Sequence, residues 1–404
     1  MTEDPRGQRY RYVIGGLAFW AHLSVGLNFQ SLSPLLPLIT EDYNISSSAG
    51  GLLLALALLL FALFSLPGGM LTPSLGVRRV YTLSWLMVGL STLSVLAPNF
   101  GSLLAIRIIF GLGMALIMPA TGPLIMGWFR PNEALILTSL NVAALSLGIA
   151  LSTSTAAPLA GHLGWEGALG VFGAVALAGA IAWMVWGKVG VVASGSSDRF
   201  SWRDVSETLR KRAVLMPGIG DAACFAQYVA LTSWLPTFYS QSRDISLSQA
   251  GLITSALPLA GVAAVLFAGF LAVRVTSRRM FFIVPGVMAA VGGLGTVLVD
   301  NTAIALVCIS LLGIGSWLYV PMLFVLPMEL EGMTPGKVAV AWGWIMAVSG
   351  MGGFVAPLAV GILKDITGSF VPGFLVFAAL AWMLVVAGLS VPEPRSAPEP
   401  SSRG

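Results

Sequence analysis

A few polar side chains interrupt long apolar stretches of this chain, and their types limit the chemistry it can perform. These residues are His22, Asn28, Gln30, Arg107 and Asp221. A charge at the centre of a bilayer costs roughly 2.5–3.5 kcal/mol on insertion scales, so each such residue needs a role there. The arginine fork fits carboxylates and similar oxyanions, and a histidine titrates near physiological pH and can carry a proton. Structural roles stay open: the arginine can hold backbone carbonyls, the others can bridge helices, and Asp221 can pair with a basic linker.

The elements that must position these residues are membrane-spanning helices. Hydrophobic residues make up 57% of the chain and charged residues 9%, whereas soluble domains carry about 25% charged residues. A helix needs about 20 mostly apolar residues to cross a bilayer, and the short alternating segments of a β-barrel do not occur. Twelve apolar segments have the required length: 12–37, 49–71, 80–97, 102–126, 134–157, 166–187, 213–240, 249–273, 280–298, 303–327, 337–361 and 370–391. The sequence therefore predicts an all-α membrane protein with twelve transmembrane helices.

Two stretches of the chain, 200 residues apart, repeat the same pattern. Residues 45–52 and 245–252 share an isoleucine, two serines, a glycine and a leucine at matching positions. After an apolar run, both copies end in Gly-x-Leu and then a pair of arginines, at 69–79 and 269–279. The repeat predicts two pseudo-symmetric six-helix halves with a cavity between them, which rocking of the halves opens to alternate sides. This arrangement indicates a solute carrier.

The basic residues are distributed unequally between the two sides of the predicted spans. Of the 21 Lys and Arg residues, all lie on one side except Arg243 and Lys364 on the other and Arg107 within a span. Because basic loops stay in the cytoplasm, both termini are predicted to be cytoplasmic. The basic pI follows from this topology and does not indicate nucleic-acid binding. The predicted location is the plasma membrane, the inner membrane of a bacterium, as a multi-pass protein.

The hydrophilic segments divide the chain into domains. The N-terminal six-helix half is predicted at 1–187 and the C-terminal half at 213–391. A Ser-rich and then basic cytoplasmic linker at 188–212 joins them. The tail at 392–404 is predicted to be disordered because of its Pro-rich composition.

Several motifs resemble those of the major facilitator superfamily. The loop at 69–79 contains Gly-x-Leu, a glycine and two arginines, and it is similar to the family's signature loop after the second span. Pro73 stands where that loop has an aspartate. Residues 107–115 resemble the family's fourth-span motif, and the related segments 157–161 and 356–361 fit its fifth and eleventh spans. The resemblance covers nearly the whole chain and implies the twelve-helix carrier fold.

The resemblance also implies which residues bind substrate, because the first, fourth, seventh and tenth spans line the cavity in this family. The predicted substrate-binding residues are His22, Asn28, Gln30, Arg107, Gln227, Tyr228, Trp234, Trp317 and Tyr319. Proton coupling is predicted at His22 and Asp221. The four aromatic residues either form a box against an organic substrate or serve as packing and interface anchors.

The signature loop is predicted to form a conformational latch. The latch comprises Gly69, Gly76, Arg78, Arg79 and Glu133 at the start of the fifth span. Because a proline replaces the family's aspartate, Arg78 and Arg79 are expected to pair with Glu133 instead.

These features predict secondary active transport of a small polar solute by alternating access. Residues 26–37 are loosely similar to the cyanate and nitrate porter branches of the superfamily. One buried arginine with few acids favours an organic or inorganic anion. Two alternatives stay open: a carrier for an organic cation or drug-like compound in efflux, and a non-transporting receptor with the carrier fold.

Other function classes lack their sequence signals. The chain has no nucleophile–base–orienter set, metal-ligand cluster or Walker motif, so enzyme activity, a metal and a cofactor are not expected. The expected partners are a small-molecule substrate and the lipid bilayer, and no nucleic acid. Protons, as in a symporter, are an open alternative, and the chain is expected to be a monomer.

Overall fold

A computed structural model describes residues 5–190, 202–243, 245–274, 277–333 and 335–392. Within these ranges the regular structure is helical, and no strand occurs. The α-helices are α1 Pro5–Gln30, α2 Leu36–Asp42, α3 Ser47–Leu75, α4 Val77–Gly89, α5 Phe100–Met126, α6 Pro131–Trp186, α7 Trp202–Arg210, α8 Arg212–Ser242, α9 Leu247–Arg274, α10 Met280–Leu298, α11 Thr302–Leu318, α12 Val320–Glu329, α13 Pro335–Thr367 and α14 Val371–Ser390. Two short 3₁₀ segments, Ser33–Leu35 and Leu90–Leu96, continue α1 and α4. The all-α prediction is confirmed.

The number of membrane-length helices agrees with the sequence. The described residues contain 11 stretches long and apolar enough to span a bilayer. The longest of them, Ile136–Trp186, has 51 residues and contains Gly164, whose φ of 72° and ψ of 166° are not helical. This glycine divides α6 into two pieces of membrane length, between the predicted fifth and sixth spans. Counting both pieces gives the predicted twelve.

Prolines divide two predicted spans into shorter helices. The predicted span 12–37 consists of α1, the 3₁₀ segment Ser33–Leu35 and the start of α2. The predicted span 303–327 is broken at Tyr319, between α11 and α12. Pro34 and Pro321 lie at the starts of the new segments, where proline is tolerated because it has no N–H to donate.

The predicted linker and tail are described only in part. Residues 191–201 and 393–404 lie outside the described residues. The end of the predicted linker forms α7, and Glu207 of this helix accepts a hydrogen bond from Lys337 of α13 at 2.7 Å.

Helices from before residue 190 and after residue 202 meet at one end of the bundle, here called the serine end. The Ser33 hydroxyl lies 2.7 Å from the carbonyl oxygens of both Thr232 and Ser233. At the start of α3, the Ser47 and Ser48 backbone N–H groups donate to Asp365 of α13 at 3.0 and 2.8 Å. These hydrogen bonds of Ser33, Ser47 and Ser48 hold the serine end together. The opposite end of the bundle, where Arg78 and Arg278 lie, is called the arginine end.

Close backbone packing reinforces the serine end at matching positions of the repeat. A Cβ atom at Gly51 of α3 would collide with the carbonyl group of Pro357 in α13. A Cβ atom at Gly251 of α9 would collide with the carbonyl oxygen of Thr153 in α6. Only glycine permits such an approach of two helix backbones. The repeated glycine therefore has the same packing role in both copies.

Candidate functional site

Arg107 is a buried cation held by the end of another helix. It lies about two turns into α5 and is 4% exposed. Its Nη1 and Nη2 groups donate to the carbonyl oxygens of Asn28 at 2.9 Å and Phe29 at 3.1 Å, and its guanidinium lies 4.6 Å from the ring centroid of Phe110. The last four carbonyls of α1 have no partner within the helix, and the negative end of the helix dipole favours a cation. This geometry matches the structural alternative for Arg107.

The guanidinium has five N–H donors, and the helix end uses two of them. Arg107 Nε is buried and has no hydrogen-bond partner. No Asp or Glu forms a described ion pair with Arg107. Among the described residues, its positive charge therefore faces two carbonyl groups and the ring of Phe110.

Asn28 and Gln30 differ although both are buried near the end of α1. The Asn28 amide donates to the carbonyl oxygens of Ser24 at 2.9 Å and Phe172 at 3.0 Å. It therefore connects α1 to the second part of α6. Gln30 is 1% exposed and its Nε2 has no partner. Of the predicted substrate-binding residues His22, Asn28, Gln30 and Arg107, the structure brings Arg107 and Asn28 together.

His22 lies near the middle of α1 with one ring nitrogen already used. Its Nδ1 is 2.9 Å from the carbonyl oxygen of Ala18. Because a carbonyl only accepts, Nδ1 carries the proton and Nε2 is the nitrogen that can gain or lose one. The imidazole is thus oriented by its own helix.

Asn141 of α6 is a buried polar residue near His22 and is not among the predicted site residues. It is 2% exposed, and neither its Oδ1 nor its Nδ2 has a hydrogen-bond partner. The helices α1 and α6 run parallel, with Gly15 against Leu137 and Gly26 against Leu145. This register places Asn141 opposite the stretch of α1 that contains His22. The unpaired atoms mark a polar position that the sequence alone shows only as one asparagine in an apolar span.

Asp221 is a buried carboxyl group held by hydroxyl groups from two other elements. It is 8% exposed. Tyr319, at the break between α11 and α12, donates its hydroxyl to Oδ1 at 2.6 Å, and Ser349 of α13 donates to Oδ2. No Lys or Arg forms a described ion pair with it. The sequence predicts Asp221 and Tyr319 as site residues with separate roles and gives no signal for Ser349.

The predicted aromatic residues divide into two groups. Tyr228 and Trp317 pack edge to face with ring centroids 5.6 Å apart, and both the tyrosine hydroxyl and the indole N–H lack partners. Trp234 instead donates to the carbonyl oxygen of Pro357 at 2.9 Å, and Tyr319 faces Asp221. Two of the four residues therefore meet, while the other two make contacts elsewhere.

Gln227 is fully buried against another helix. Its amide occupies the space that a Cβ atom at Gly293 of α10 would fill, and neither amide atom has a hydrogen-bond partner. The side chain of this predicted binding residue therefore points at α10.

The predicted latch residues have other partners than expected. Glu133 accepts from Arg11 at 3.1 Å and from the backbone N–H of Arg130. Arg78 donates to the carbonyl oxygen of Met184 at 3.4 Å. The expected pairing of Arg78 with Glu133 is thus replaced, because Arg11 of α1 lies beside the start of α6.

The glycines and the second arginine of the latch lie at the arginine end of α3. Gly69 is within α3, and Gly76 ends this helix with a φ of 82°, which L residues rarely adopt. Arg79 is exposed at the start of α4.

Comparison with known proteins identifies the family. The pattern of the Major Facilitator Superfamily matches residues 18–332, most of the chain. The chain belongs to the major facilitator superfamily. This member is 23% identical to the probable sulfoacetate transporter SauU of Cupriavidus necator, over 94% of each chain. It is also 23% identical to the nitrite extrusion protein of Bacillus subtilis, over 87% of each chain.

A solved structure has the same fold. It is a bacterial homolog of the human lysosomal transporter Spinster in an inward-facing, unoccupied conformation, with a TM-score of 0.75 and 15% identity over 94% of this chain and 96% of that chain. This superfamily member is therefore a multi-pass membrane protein and a secondary transporter of a small solute, as predicted. The family and these relatives are transporters rather than enzymes. The predicted resemblance to the nitrate porters and the bacterial inner-membrane location agree with the relatives.

Proposed function

We propose that this transporter carries a small organic or inorganic anion, coupled to protons, by alternating access between two six-helix halves. The observation that carries the proposal is a pair of buried charges without ion partners among the described residues. Arg107 lies in the first half and Asp221 in the second. A fixed cation attracts an anionic solute, and a carboxyl group held only by hydroxyls can bind and release a proton.

The chemistry of the relatives supports an anionic substrate. Sulfoacetate carries a sulfonate and a carboxylate, and nitrite is a small oxyanion. The proteins named for them are similar to this chain along most of its length. A buried arginine suits both because it is charged at every physiological pH.

The architecture of the proposal follows the repeat. The halves are 1–187 and 213–391, the linker 188–212 joins them and the tail 392–404 follows. We place both termini and the arginine end in the cytoplasm, because most basic residues lie on that side. The serine end then faces outward and is closed, so the cavity between the halves opens toward the cytoplasm. The chain functions as a monomer in the bilayer, without a metal or cofactor.

The proposed substrate site lies between the halves. Tyr228 and Trp317 supply an aromatic wall. Of the predicted residues of the first half, His22, Gln30 and Arg107 supply polar groups and positive potential, and Asn28 holds α1 against α6 beside them. The remaining predicted residues hold the helices around this site in position. Gln227 packs against α10, Trp234 bonds to α13 and Tyr319 bonds to Asp221. His22 and Asp221 take up the coupled proton. The latch at Gly69, Gly76, Arg78, Arg79 and Glu133 works at the cytoplasmic end.

Reconstitution in liposomes tests this function. We expect saturable uptake of nitrite or sulfoacetate, counterflow from preloaded vesicles and accumulation driven by an inward proton gradient. Saturable flux of a quaternary amine without flux of either anion would favour the organic-cation carrier. Binding without flux would favour a receptor, and unsaturable flux would favour a channel.

Accessibility labelling tests the orientation separately. A single cysteine at position 190 should react only with reagents on the cytoplasmic side, and one at position 243 only with reagents outside. Reaction of both from the same side would contradict the proposed topology.

A further inference from the structure

Two basic side chains lie beside the last turn of α6, and neither has an acidic partner among the described residues. Arg78 is exposed and donates to the carbonyl oxygen of Met184, in this last turn, at 3.4 Å. Lys188 is also exposed and follows the end of the helix by two residues. No Asp or Glu forms a described ion pair with either side chain. Two full positive charges at this surface are therefore open to an external anion.

Aromatic residues hold Lys188 in place. Its Nζ lies 4.4 Å from the ring centroid of Tyr10, and its carbonyl oxygen accepts from Trp128 Nε1 at 3.1 Å. Tyr10 in turn donates its hydroxyl to the carbonyl oxygen of Trp186 at 2.5 Å. The attraction of the ring uses one face of the ammonium group, which has three N–H donors. The amino group is thus positioned on the surface with donors left for a further acceptor.

The second copy of the repeat provides an acidic partner for its own arginine. Arg278 lies 200 residues after Arg78 and forms an ion pair with Glu329. A Gly-x-Gly segment and a later proline recur at 111–119 and 313–321, 202 residues apart, and this spacing aligns Glu329 with Gly127. Because glycine has no side-chain carboxylate, the first copy lacks at this position the anion that the second copy carries. The repeat therefore indicates that the anion beside Arg78 comes from outside the chain.

The surface next to these cations is apolar. Ile181, Val185 and Trp186, on the last two turns of α6, are each at least half exposed, as is Leu83 of the neighbouring α4. In a membrane protein such a surface faces lipid, and tryptophan is enriched where the bilayer meets water. A phospholipid places an anionic headgroup at this boundary and its acyl chains deeper in the bilayer. Cations beside an exposed apolar surface therefore fit an anionic lipid better than a soluble anion, which would contact only the cations.

We propose that Arg78 and Lys188 bind the headgroup of one anionic phospholipid, such as phosphatidylglycerol, at the arginine end. The phosphate accepts hydrogen bonds from both side chains, and the acyl chains cover Ile181 and Val185. Arg78 is also part of the proposed latch, so any effect of the lipid on transport rests on the proposed function. The binding itself does not depend on what is transported.

Thermal unfolding of the purified protein in detergent tests the proposal. The probes are dioctanoyl phosphatidylglycerol, dioctanoyl phosphatidylcholine and glycerol phosphate at constant ionic strength. We expect a saturable rise in unfolding temperature with phosphatidylglycerol alone, because a bound ligand stabilises the folded state. Equal rises with the two lipids would overturn the proposal, since binding would then need no net negative charge. An equal rise with glycerol phosphate would indicate a soluble anion and overturn it too, as would no rise with phosphatidylglycerol.

Single variants assign the effect to the two cations. Arg78→Gln and Lys188→Gln should each raise the dissociation constant for phosphatidylglycerol about fivefold, which corresponds to about 1 kcal/mol for one basic residue near an anionic lipid surface. Arg278→Gln is the matched control, because it removes the same charge at the same position of the repeat, where Glu329 already pairs with the arginine. Equal weakening in Arg78→Gln and Arg278→Gln, or none in Arg78→Gln and Lys188→Gln, would contradict the assignment.

Native mass spectrometry gives a direct readout. We expect wild type to retain one phosphatidylglycerol molecule more than the Arg78→Gln/Lys188→Gln double variant, and equal retention by the two proteins would contradict the site. Neither measurement involves transport. Lipid binding without solute flux would therefore overturn the proposed function alone, and flux without selective lipid binding would overturn this site alone.

Discussion

Arg107 and Asp221 are both buried charges without ion partners among the described residues, but they are held in different ways. Arg107 donates to backbone carbonyls at the end of α1. Asp221 accepts from the side chains of Tyr319 and Ser349, on two other elements. A helix end keeps its carbonyls whatever the neighbouring side chains do, whereas hydroxyl groups rotate and can exchange donor and acceptor roles. The arginine is therefore a fixed charge, and the aspartate is a link that a proton can rearrange.

Replacing Asp221 with asparagine is expected to have the largest effect on transport. The variant keeps the shape but cannot take up a proton. Loss of a charge-assisted hydrogen bond is worth about 1.5–3 kcal/mol, so proton-driven accumulation should fall by about ten- to a hundredfold. Counterflow should survive because exchange needs only reorientation of the loaded carrier. Accumulation and counterflow in liposomes measure both effects, and unchanged accumulation would remove Asp221 from the coupling mechanism.

Arg107→Lys should lower the stability of the protein, which tests whether the end of α1 holds Arg107 in place. A lysine cannot bridge the carbonyls of Asn28 and Phe29 with a planar fork. We expect about 1.5–3 kcal/mol of destabilisation, measured by thermal unfolding in detergent. Arg243→Lys is the control, because Arg243 makes one described bond to a carbonyl, that of Val297, and should lose less. Equal losses in the two variants would mean that the helix end does not specifically hold Arg107.

Tyr319→Phe should have an intermediate effect on coupling. It removes the hydroxyl that ties Asp221 to the break between α11 and α12 but keeps the ring. Accumulation should fall about three- to tenfold, as for loss of about 0.5–1.5 kcal/mol. Tyr239→Phe is the matched control, because this buried tyrosine donates to the carbonyl oxygen of Thr296. If both variants reduce accumulation alike, the loss reflects packing and not the link to Asp221.

Asp365→Asn should have the smallest effect, because this exposed charge acts only at the closed end. A carboxylate at a helix N-terminus contributes about 0.3–1 kcal/mol, so the open population of the serine end should rise about two- to fivefold. Pulsed electron paramagnetic resonance distances between spin labels on the outer ends of α3 and α13 would measure the shift. An unchanged distance distribution would contradict a role for Asp365 in closing this end.

The fold was largely predictable, since apolar length alone separates the spans. The sequence also located Arg107 and Asp221, because any charge in an apolar helix is conspicuous. The residues that contact Arg107 and Asp221 were harder to predict from the sequence. Tyr319 was expected in an aromatic box and Glu133 beside Arg78, but partners across helices depend on how each helix is rotated. Nearly uniform apolar faces leave that rotation undetermined, which is also why Ser349 and Asn141 were missed.

At the paired glycines Gly51 and Gly251, the closed end is formed by direct contact between helix backbones. At both positions the sealing surface is bare backbone against a carbonyl group, with nothing that ionises or oxidises. These two contacts depend on shape alone, so acid and salt act on the closed end through Asp365 and not through the glycine contacts. A single added methyl group at either position would push the two helix backbones apart.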